Sequence, residues 1–244
     1  MAATVEARRL TEAHRLAQSR LAAQVVAQLL AVFPLLDPQD VNSTVDRWLT
    51  ATVPIVRVGR STSARLAATY LTTFRALELG VDAARFVATI ADDLPDEQIA
   101  TSLVVTGPAT IRAGLARGRQ LRTVLDLART SSASAGMRHA LNGGRDTVVA
   151  TTDSDPKALG WARATSGKAC SFCALLAGRG PVYKGEGTAG FQAHDHCSCS
   201  AEPVYRRDAA WPAGADRYAE LYAQAKAEGG DAATVRANFR RLVA

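Results

Sequence analysis

The chain carries the segments Ala169-Cys-Ser-Phe-Cys173 and His194-Asp-His-Cys-Ser-Cys199, which hold all four of its cysteines and two of its four histidines. A tetrahedral zinc site takes four nitrogen or sulfur ligands, commonly from two short stretches of chain. The spacing of the first cysteine pair is that of a zinc knuckle, in which both thiolates face one ion from a tight turn. Cys197 and Cys199 lie two residues apart, so on an extended segment their side chains point to the same face. This stretch therefore predicts a structural zinc site with six candidate donors.

Other interpretations of the cysteines remain open from the residues alone. Two disulfides, or one disulfide with free thiols, would fit an oxidising compartment but not a reducing cytosol. A redox Cys-x-x-Cys is less favoured, because a thioredoxin-type motif lies in a βαβ context and needs no second Cys/His cluster. Inert buried thiols are also open, since free cysteine is often buried. A deaminase-type catalytic zinc is not favoured, because no His-x-Glu element precedes Cys170.

These residues also carry a resemblance to a known family. The stretches Ala169–Tyr183, Phe191–Cys199 and Glu202–Tyr205 resemble the MuF-like minor capsid proteins of tailed phages, especially those of phages of actinobacteria. The signature of that family is Cys-x-x-Cys followed by His-x-x-Cys-x-Cys, and both halves are present here. His196 stands where many members have a different residue, so we do not expect it to be a ligand. The match covers about 45 of the 244 residues.

The motif and the resemblance together leave five candidate metal ligands. They are Cys170, Cys173, His194, Cys197 and Cys199. We expect Cys170, Cys173 and Cys199 to bind zinc together with either His194 or Cys197. The ion would supply folding free energy to a small glycine-rich module that has little core of its own.

The resemblance implies a minor capsid or head morphogenesis protein that is not an enzyme. It implies a place at the portal vertex in the capsid interior, with the phage portal protein and major capsid protein as partners, after synthesis in the host cytoplasm. One alternative is a phage head maturation protease, but His139 near Ser131, Ser132 and Ser134 shows no sign of an activated nucleophile. The other is a zinc-dependent nucleic-acid-binding protein, or a zinc-dependent nuclease that uses Asp195 and His196.

The fold class that the sequence predicts is α+β and predominantly α-helical, with long N-terminal helices, a small zinc-knuckle-like α+β module and C-terminal helices. The predicted divisions are 1–144, 145–207 and 208–244, with the first boundary at Asn142-Gly-Gly144. No apolar run approaches the roughly 20 residues of a membrane span. The N-terminus lacks the apolar core of a signal peptide. We therefore expect a cytoplasmic product with no membrane partner.

Apolar periodicity and breaker residues predict the individual elements. Helices are expected over 4–36, from Asn42 to an interruption at Pro54, over 61–79 with Gly80 as C-cap, over 82–92, from a cap at Asp96, from Pro108 to Arg129, up to Leu141 after a break at 131–136, and over 216–228 and 231–243. Short strands are expected at 160–163, 181–183 and 203–205, and residues 145–151 are either a strand or an extension of the preceding helix.

Positive charge is concentrated in one segment. The chain has a net charge of +6, and residues 111–145 contain seven arginines against the single acid Asp126. Arginine suits bidentate contacts with phosphates and carboxylates. The segment is either a solvated helix face or a contact surface for double-stranded DNA phosphates or an acidic partner. The candidate contact residues are Arg112, Arg117, Arg119, Arg122 and Arg129.

Overall fold

A computed structural model gives the fold of most of the chain. The described residues are 4–80, 86–165, 169–180, 183, 190–191, 193–207, 211–212 and 214–244. The helices are α1 (Val5–Val32), followed by a 3-10 turn (Phe33–Leu35), α2 (Val41–Leu79), α3 (Asp96–Thr106), α4 (Pro108–Ala116), α5 (Leu121–Ser154), α6 (Ser171–Ala177), α7 (Ala215–Ala227) and α8 (Ala232–Val243). The strands are β1 (Gly160–Ala164) and β2 (Ser200–Val204). The predicted class, α+β and predominantly helical, is confirmed.

The predicted interruption at Pro54 is wrong, because α2 continues through it. Proline removes one hydrogen bond to the carbonyl four residues earlier, which here belongs to Thr50. Both Thr50 and Pro54 are exposed, so the lost hydrogen bond is on the side of α2 that faces away from the core. The opposite face of α2 is buried and holds the helix in place through residues such as Trp48 and Val56. The predicted C-cap is confirmed: Gly80 adopts the left-handed conformation with φ 61°.

The predicted breaks inside α5 are also wrong. One helix runs from Leu121 to Ser154 through the serine-rich stretch and through Gly143 and Gly144. Residues 145–151 are helical, so of the two alternatives the strand is wrong. The predicted boundary at 144/145 therefore falls inside a helix. These glycines permit close packing. A Cβ at 143 would strike the backbone carbonyl of Arg60, and a Cβ at 144 would lie 2.7 Å from Ser63 Oγ.

Two further helix predictions need correction. Residues 86–95 are not helical, and residues 82–85 of the predicted helix at 82–92 lie outside the described residues. The predicted helix from Pro108 to Arg129 is divided, because the chain turns at residues 117–120 between α4 and α5. Gly118 makes that turn with φ 68°, a conformation that glycine adopts easily.

The remaining helix predictions concern caps and the C-terminus. The N-cap of α3 is Pro95 and not the predicted Asp96. The two predicted C-terminal helices are confirmed as α7 and α8, and Asp231 caps the second.

The sheet is a two-stranded antiparallel pair that joins the two halves of the cysteine motif. Gly160 pairs with Val204 and Ala164 with Ser200. Tyr183 adds a single bridge to Trp161, while the remainder of the predicted strand at 181–183 and most of the glycine-rich connection lie outside the described residues. We call the described parts of residues 160–205 the cysteine module.

The helices α1, α2 and α5 pack together into what we call the helical trunk, with α3 and α4 against it. The core of the trunk contains Trp48, Val56, Leu103 and Ile111, which are essentially inaccessible to water. A second apolar cluster joins the trunk to the cysteine module, since Phe74 and Trp161 belong to the same cluster as three of the cysteines. A third cluster seats α7 and α8 against α6.

Among the described residues, two helical stretches are long and apolar enough to cross a membrane by length and composition. They are Val5–Leu35 and Asp96–Ala116, whose most apolar 18-residue windows have mean hydropathy 1.3 and 1.2. This qualifies the expectation that no such stretch exists. Both contribute to the trunk core through residues such as Val25 and Leu103, and core helices of soluble proteins meet the same criterion.

Candidate metal centre

The first cysteine pair lies at the start of α6. Cys170 is the N-cap of this helix, and its sulfur accepts a hydrogen bond from the backbone N–H of Cys173 at 3.4 Å. This arrangement leaves the sulfur of Cys170 at the surface and places Cys173 inside, 1% exposed. The capping position therefore brings both sulfurs to one end of a short helix, as the knuckle spacing predicted.

The second cluster lies in the turn that leads into β2. The backbone N–H of Cys197 donates to the carbonyl of His194, which closes the turn. His196, at the corner, has φ 64°, an uncommon conformation for a residue other than glycine. Cys197 and Cys199 point inward and are buried, whereas His196 is exposed. The turn thus separates the inward donors from His196, which no contact links to the cysteine sulfurs within the described part of the chain.

The five predicted donors converge on Cys173. One group joins Cys170, Cys173 and His194, and a second joins Cys173, Cys197 and Cys199, with the donor atoms of each group within 4.8 Å of one another. The sulfur of Cys173 lies 3.5 Å from His194 Nε2 and 3.5 Å from the sulfur of Cys197. Tetrahedral zinc with Zn–S near 2.3 Å and Zn–N near 2.0 Å places a sulfur and a nitrogen ligand about 3.5 Å apart and two sulfur ligands about 3.8 Å apart. These two separations are close to that spacing, whereas the 2.9 Å between the Cys170 sulfur and His194 Nε2 is shorter and would open if both bound one ion.

The orientation of His194 also fits a ligand. Its Nδ1 is within hydrogen-bonding distance of the backbone carbonyl of Asp195, which favours a proton on Nδ1. Its Nε2 faces the sulfurs of Cys170, at 2.9 Å, and of Cys173. Histidines that bind metals commonly donate the other ring N–H to a carbonyl in this way.

The environment favours the thiolate, which is the form that binds zinc, at Cys197 and Cys170, whereas hydrogen bonds with Cys197 and Cys199 raise the pKa of Cys173. Hydrogen bonds with Cys173 and Cys199, together with the charge of Arg145, lower the pKa of Cys197 well below its usual value. Burial raises the pKa of Cys170, but hydrogen bonds from the Cys173 amide and from His194 outweigh it and lower the pKa overall. None of the four cysteines forms a disulfide in the structure.

Two buried guanidinium groups lie beside the sulfurs. Arg145 is 3% exposed and donates to the carbonyls of Cys197 at 2.6 Å and Cys199 at 2.9 Å. Arg163 is 1% exposed and places Nη1 3.9 Å from the sulfur of Cys173. Both stack on Phe191, with guanidinium carbons 5.1 and 3.9 Å from the ring centroid. Buried cations are stabilised by nearby negative charge, which a thiolate cluster or a zinc–thiolate centre provides.

One face of α5 anchors the second cluster to the trunk. The Ser134 hydroxyl contacts the ring of His196, Arg138 pairs with Asp195 at 2.8 Å, and Arg145 binds the two cysteine carbonyls. Positions 134, 138 and 145 are four and seven residues apart, so they share one side of the helix. This role was not predicted: Arg138 and Arg145 entered the sequence argument only through the positive charge of residues 111–145. Their spacing would have revealed it only if α5 had been recognised as one helix.

The contact between Ser134 and His196 does not have the geometry of a catalytic pair. The Ser134 oxygen lies 2.8 Å from Nδ1 and 2.9 Å from Nε2, so it faces the ring edge between the two nitrogens. Ser134 is 3% exposed, and Asp195 pairs with Arg138 instead of orienting the imidazole. A nucleophile needs an aligned base and access to substrate. The arrangement is suited to holding the turn on α5.

The five candidate contact arginines lie elsewhere, around α4 and the start of α5. All five are exposed. Arg112 donates to the side chain of Asn42, and Arg129 forms a 3.7 Å pair with Asp126. Arg122 lies on the first turn of α5, twelve residues before Ser134 and therefore roughly 18 Å from it along the helix. The arginine-rich segment thus divides into an exposed basic end and two residues that hold the cysteine module.

The trunk and the cysteine module are matched together by one family model. A family model described as VG15 protein matches residues 5–225, which is most of the chain. No curated protein and no solved structure matches this chain. The chain therefore belongs to the VG15 protein family, a family of viral gene proteins, and is a phage-encoded protein.

Proposed function

We propose that this protein is a non-enzymatic minor capsid or head morphogenesis protein of a tailed phage, similar to the MuF-like proteins. The observation that carries the proposal is the convergence of the Cys-x-x-Cys and His-x-x-Cys-x-Cys segments on one buried sulfur, that of Cys173. The membership of the chain in a family of phage proteins supports it. The alternatives, a head maturation protease and a zinc-dependent nucleic-acid-binding protein, lack a comparable observation.

The centre is proposed to hold one structural zinc ion. Cys170, Cys173 and His194 supply three ligands, and Cys197 is proposed as the fourth, because its sulfur lies 3.5 Å from that of Cys173. Cys197 is outside the group with His194, so its sulfur would move toward that group when the ion binds. Bound zinc would supply cross-links between the two segments and no chemistry on a substrate. Cys199, which shares the second group with Cys173 and Cys197, supports the site from beside it.

The protein's role is proposed to be that of a rigid adaptor at the portal vertex. The trunk offers a long helical surface, and the centre fixes the cysteine module and α6 against α5. Partners are the portal protein and the major capsid protein, in the capsid interior. The exposed arginines, Arg112, Arg117, Arg119, Arg122 and Arg129, would face a partner or the phosphates of packaged DNA.

The test is the location of the protein in phage particles. Purified procapsids and virions of the encoding phage are cross-linked and analysed by mass spectrometry. We expect peptides of this chain in both particles, cross-linked to the portal protein, and we expect heads made with the Cys173→Ser variant to contain less of it. Absence from both particles would rule out a minor capsid role. Cleavage of capsid proteins that stops when Ser134→Ala is introduced would favour the protease instead.

A further inference from the structure

An apolar groove lies between the C-terminal end of α1 and the first turns of α5. Its volume is 570 Å³. Leu30 and Leu121 border it and remain 37% and 43% exposed, while Phe33 and Leu36 line it and are buried. We call this feature the leucine groove. Exposed leucines around a concave surface are typical of a binding site for an apolar partner.

The groove has a positively charged border. Arg122 and Arg129 line it, and Asp126 is the acidic residue among its lining side chains. The pair between Arg129 and Asp126 is long, at 3.7 Å, and more than half exposed on both sides, so it holds Arg129 only weakly. The guanidinium group of Arg122 forms no hydrogen bond or ion pair with the described residues. The border therefore has positive charge available to a partner.

The start of α5 adds to this charge. Gln120, its N-cap, makes no side-chain capping hydrogen bond, and the first turn contains no acidic residue. The first backbone N–H groups of a helix lack partners within the helix and carry partial positive charge. Leu121 and Arg122 of this turn both line the groove. A carboxylate placed here would meet a guanidinium and a helix N-terminus together.

We infer that the leucine groove binds an acidic amphipathic helix of a partner protein. Apolar side chains spaced at one helical face would fill the groove, and acidic residues flanking them would contact Arg122, Arg129 and the start of α5. This inference deepens the proposed function and rests on it, since it names the surface through which the adaptor docks. DNA is a poorer occupant, because phosphate contacts make no use of exposed leucines.

The experiment is a selection from a display library of roughly 16-residue helical peptides that keep leucine on one face and vary the other positions. The intact protein with its zinc is the target. The affinity of each selected peptide for wild type and for the variants Leu121→Gln and Arg122→Glu is then measured by fluorescence anisotropy. The matched controls are Leu77→Gln, a leucine of similar exposure on α2, and Arg217→Glu, an exposed arginine on α7. Glutamate at 122 suits the first turn of a helix, so loss of binding there would not come from unfolding.

We expect the selected peptides to be rich in Asp and Glu. Both groove variants should weaken binding by about tenfold or more, as substitutions at the centre of an interface do, while the controls leave it unchanged. The inference is overturned by a selection that enriches no peptides or enriches basic ones. It is also overturned if the groove variants bind the selected peptides as tightly as wild type does. Two further results would overturn it: duplex DNA whose binding is weakened by Arg122→Glu and not by Leu121→Gln, or self-association of the protein that Leu121→Gln abolishes.

The two proposals fail separately. If the chain is found in phage heads but the groove binds no acidic peptide, this inference falls and the proposed function stands. If acidic peptides bind the groove but the chain is absent from heads, the groove remains a docking site and the minor capsid role falls.

Discussion

The helical trunk and the cysteine module are stabilised in different ways. The trunk buries large side chains such as Trp48 and Leu103 between long helices that meet at glycines. The module has two strands of five residues and a helix of seven, and around its sulfurs it buries the charged residues Arg145 and Arg163. Apolar packing therefore dominates the trunk core, whereas the module adds its sulfur and nitrogen donors and its attachment to α5 to the apolar cluster that it shares with the trunk. Each substitution below is expected to damage one region more than the other.

The largest effect is expected from Cys173→Ser. The sulfur of Cys173 belongs to both groups of donors, so its removal should reduce bound zinc from about one ion per chain to less than about a tenth. Elemental analysis of the reduced, purified protein measures this loss. The trunk should keep its helical circular dichroism.

Cys199→Ser is the matched control for that variant, because it removes another buried sulfur of the cluster, one that the proposed ligand set does not include. It should retain most of the zinc. Loss of zinc from Cys199→Ser with retention in Cys197→Ser would show that Cys199 is the fourth ligand, as the sequence alone suggested.

The trunk should be most sensitive at its helix crossing. In Gly143→Ala the new Cβ would strike the carbonyl of Arg60 and approach its Cγ to 2.8 Å. Overpacking of this kind should lower the free energy of unfolding by about 3 kcal/mol, as measured by urea denaturation. Gly190→Ala is the control, since its Cβ would have no neighbour within 4 Å. Equal stability of the two variants would mean that α5 does not cross α2 as closely as described.

Arg145→Met should loosen the attachment of the module. It removes the donors to the carbonyls of Cys197 and Cys199 and leaves both buried groups unpaired, at a cost of about 2–3 kcal/mol. Hydrogen exchange should become faster in β2 and stay unchanged in α2. Arg138→Met, which breaks a partly exposed pair with Asp195, should cost less than about 1 kcal/mol. Similar effects of both variants would argue against Arg145 as the main anchor.

The smallest effect concerns pH and the trunk. Burial lowers the pKa of His14, which stacks on Tyr70, to about 4. The unfolded chain takes up that proton near pH 6.5, so the folded state is favoured above this pH and loses stability as the pH falls toward 4. Between pH 7 and pH 5 the loss from this group is about 2 kcal/mol. His14→Phe keeps a stacked ring, so wild type should lose about that much more than the variant over the same range. Because the zinc ligands are identical in both proteins, parallel pH profiles would show that His14 does not titrate in this way.

The sequence predicted the general fold better than the boundaries of the trunk helices. The apolar spacing of α1 and the cap at Gly80 were sufficient for those elements, because both signals are local. Pro54 and Gly143 were read as breaks, and both lie inside helices. Their effect depends on what the rest of the helix packs against, and periodicity within one segment does not contain that information.

The site was predicted in its donors but not in its support. Cys170, Cys173 and His194 do come together, because the knuckle spacing and the pairing of β1 with β2 bring the two segments side by side. The contribution of Ser134 and Arg145 could not be predicted, since those residues precede the cysteines by many positions and reach them only through the packing of α5. Arginine in a basic segment also gives no sign in the sequence that it is buried.

Hydrogen exchange of the intact protein, with zinc bound and after removal by a chelator, tests the central claim most directly. If zinc holds the cysteine module to an independently stable trunk, the chelator should release about one zinc ion per chain, because the chain has one proposed zinc site. Amides of β1, α6 and β2 should then exchange much faster, while those of α2 and the middle of α1 stay protected. A protein that carries no zinc, or whose module stays protected without it, would contradict the account.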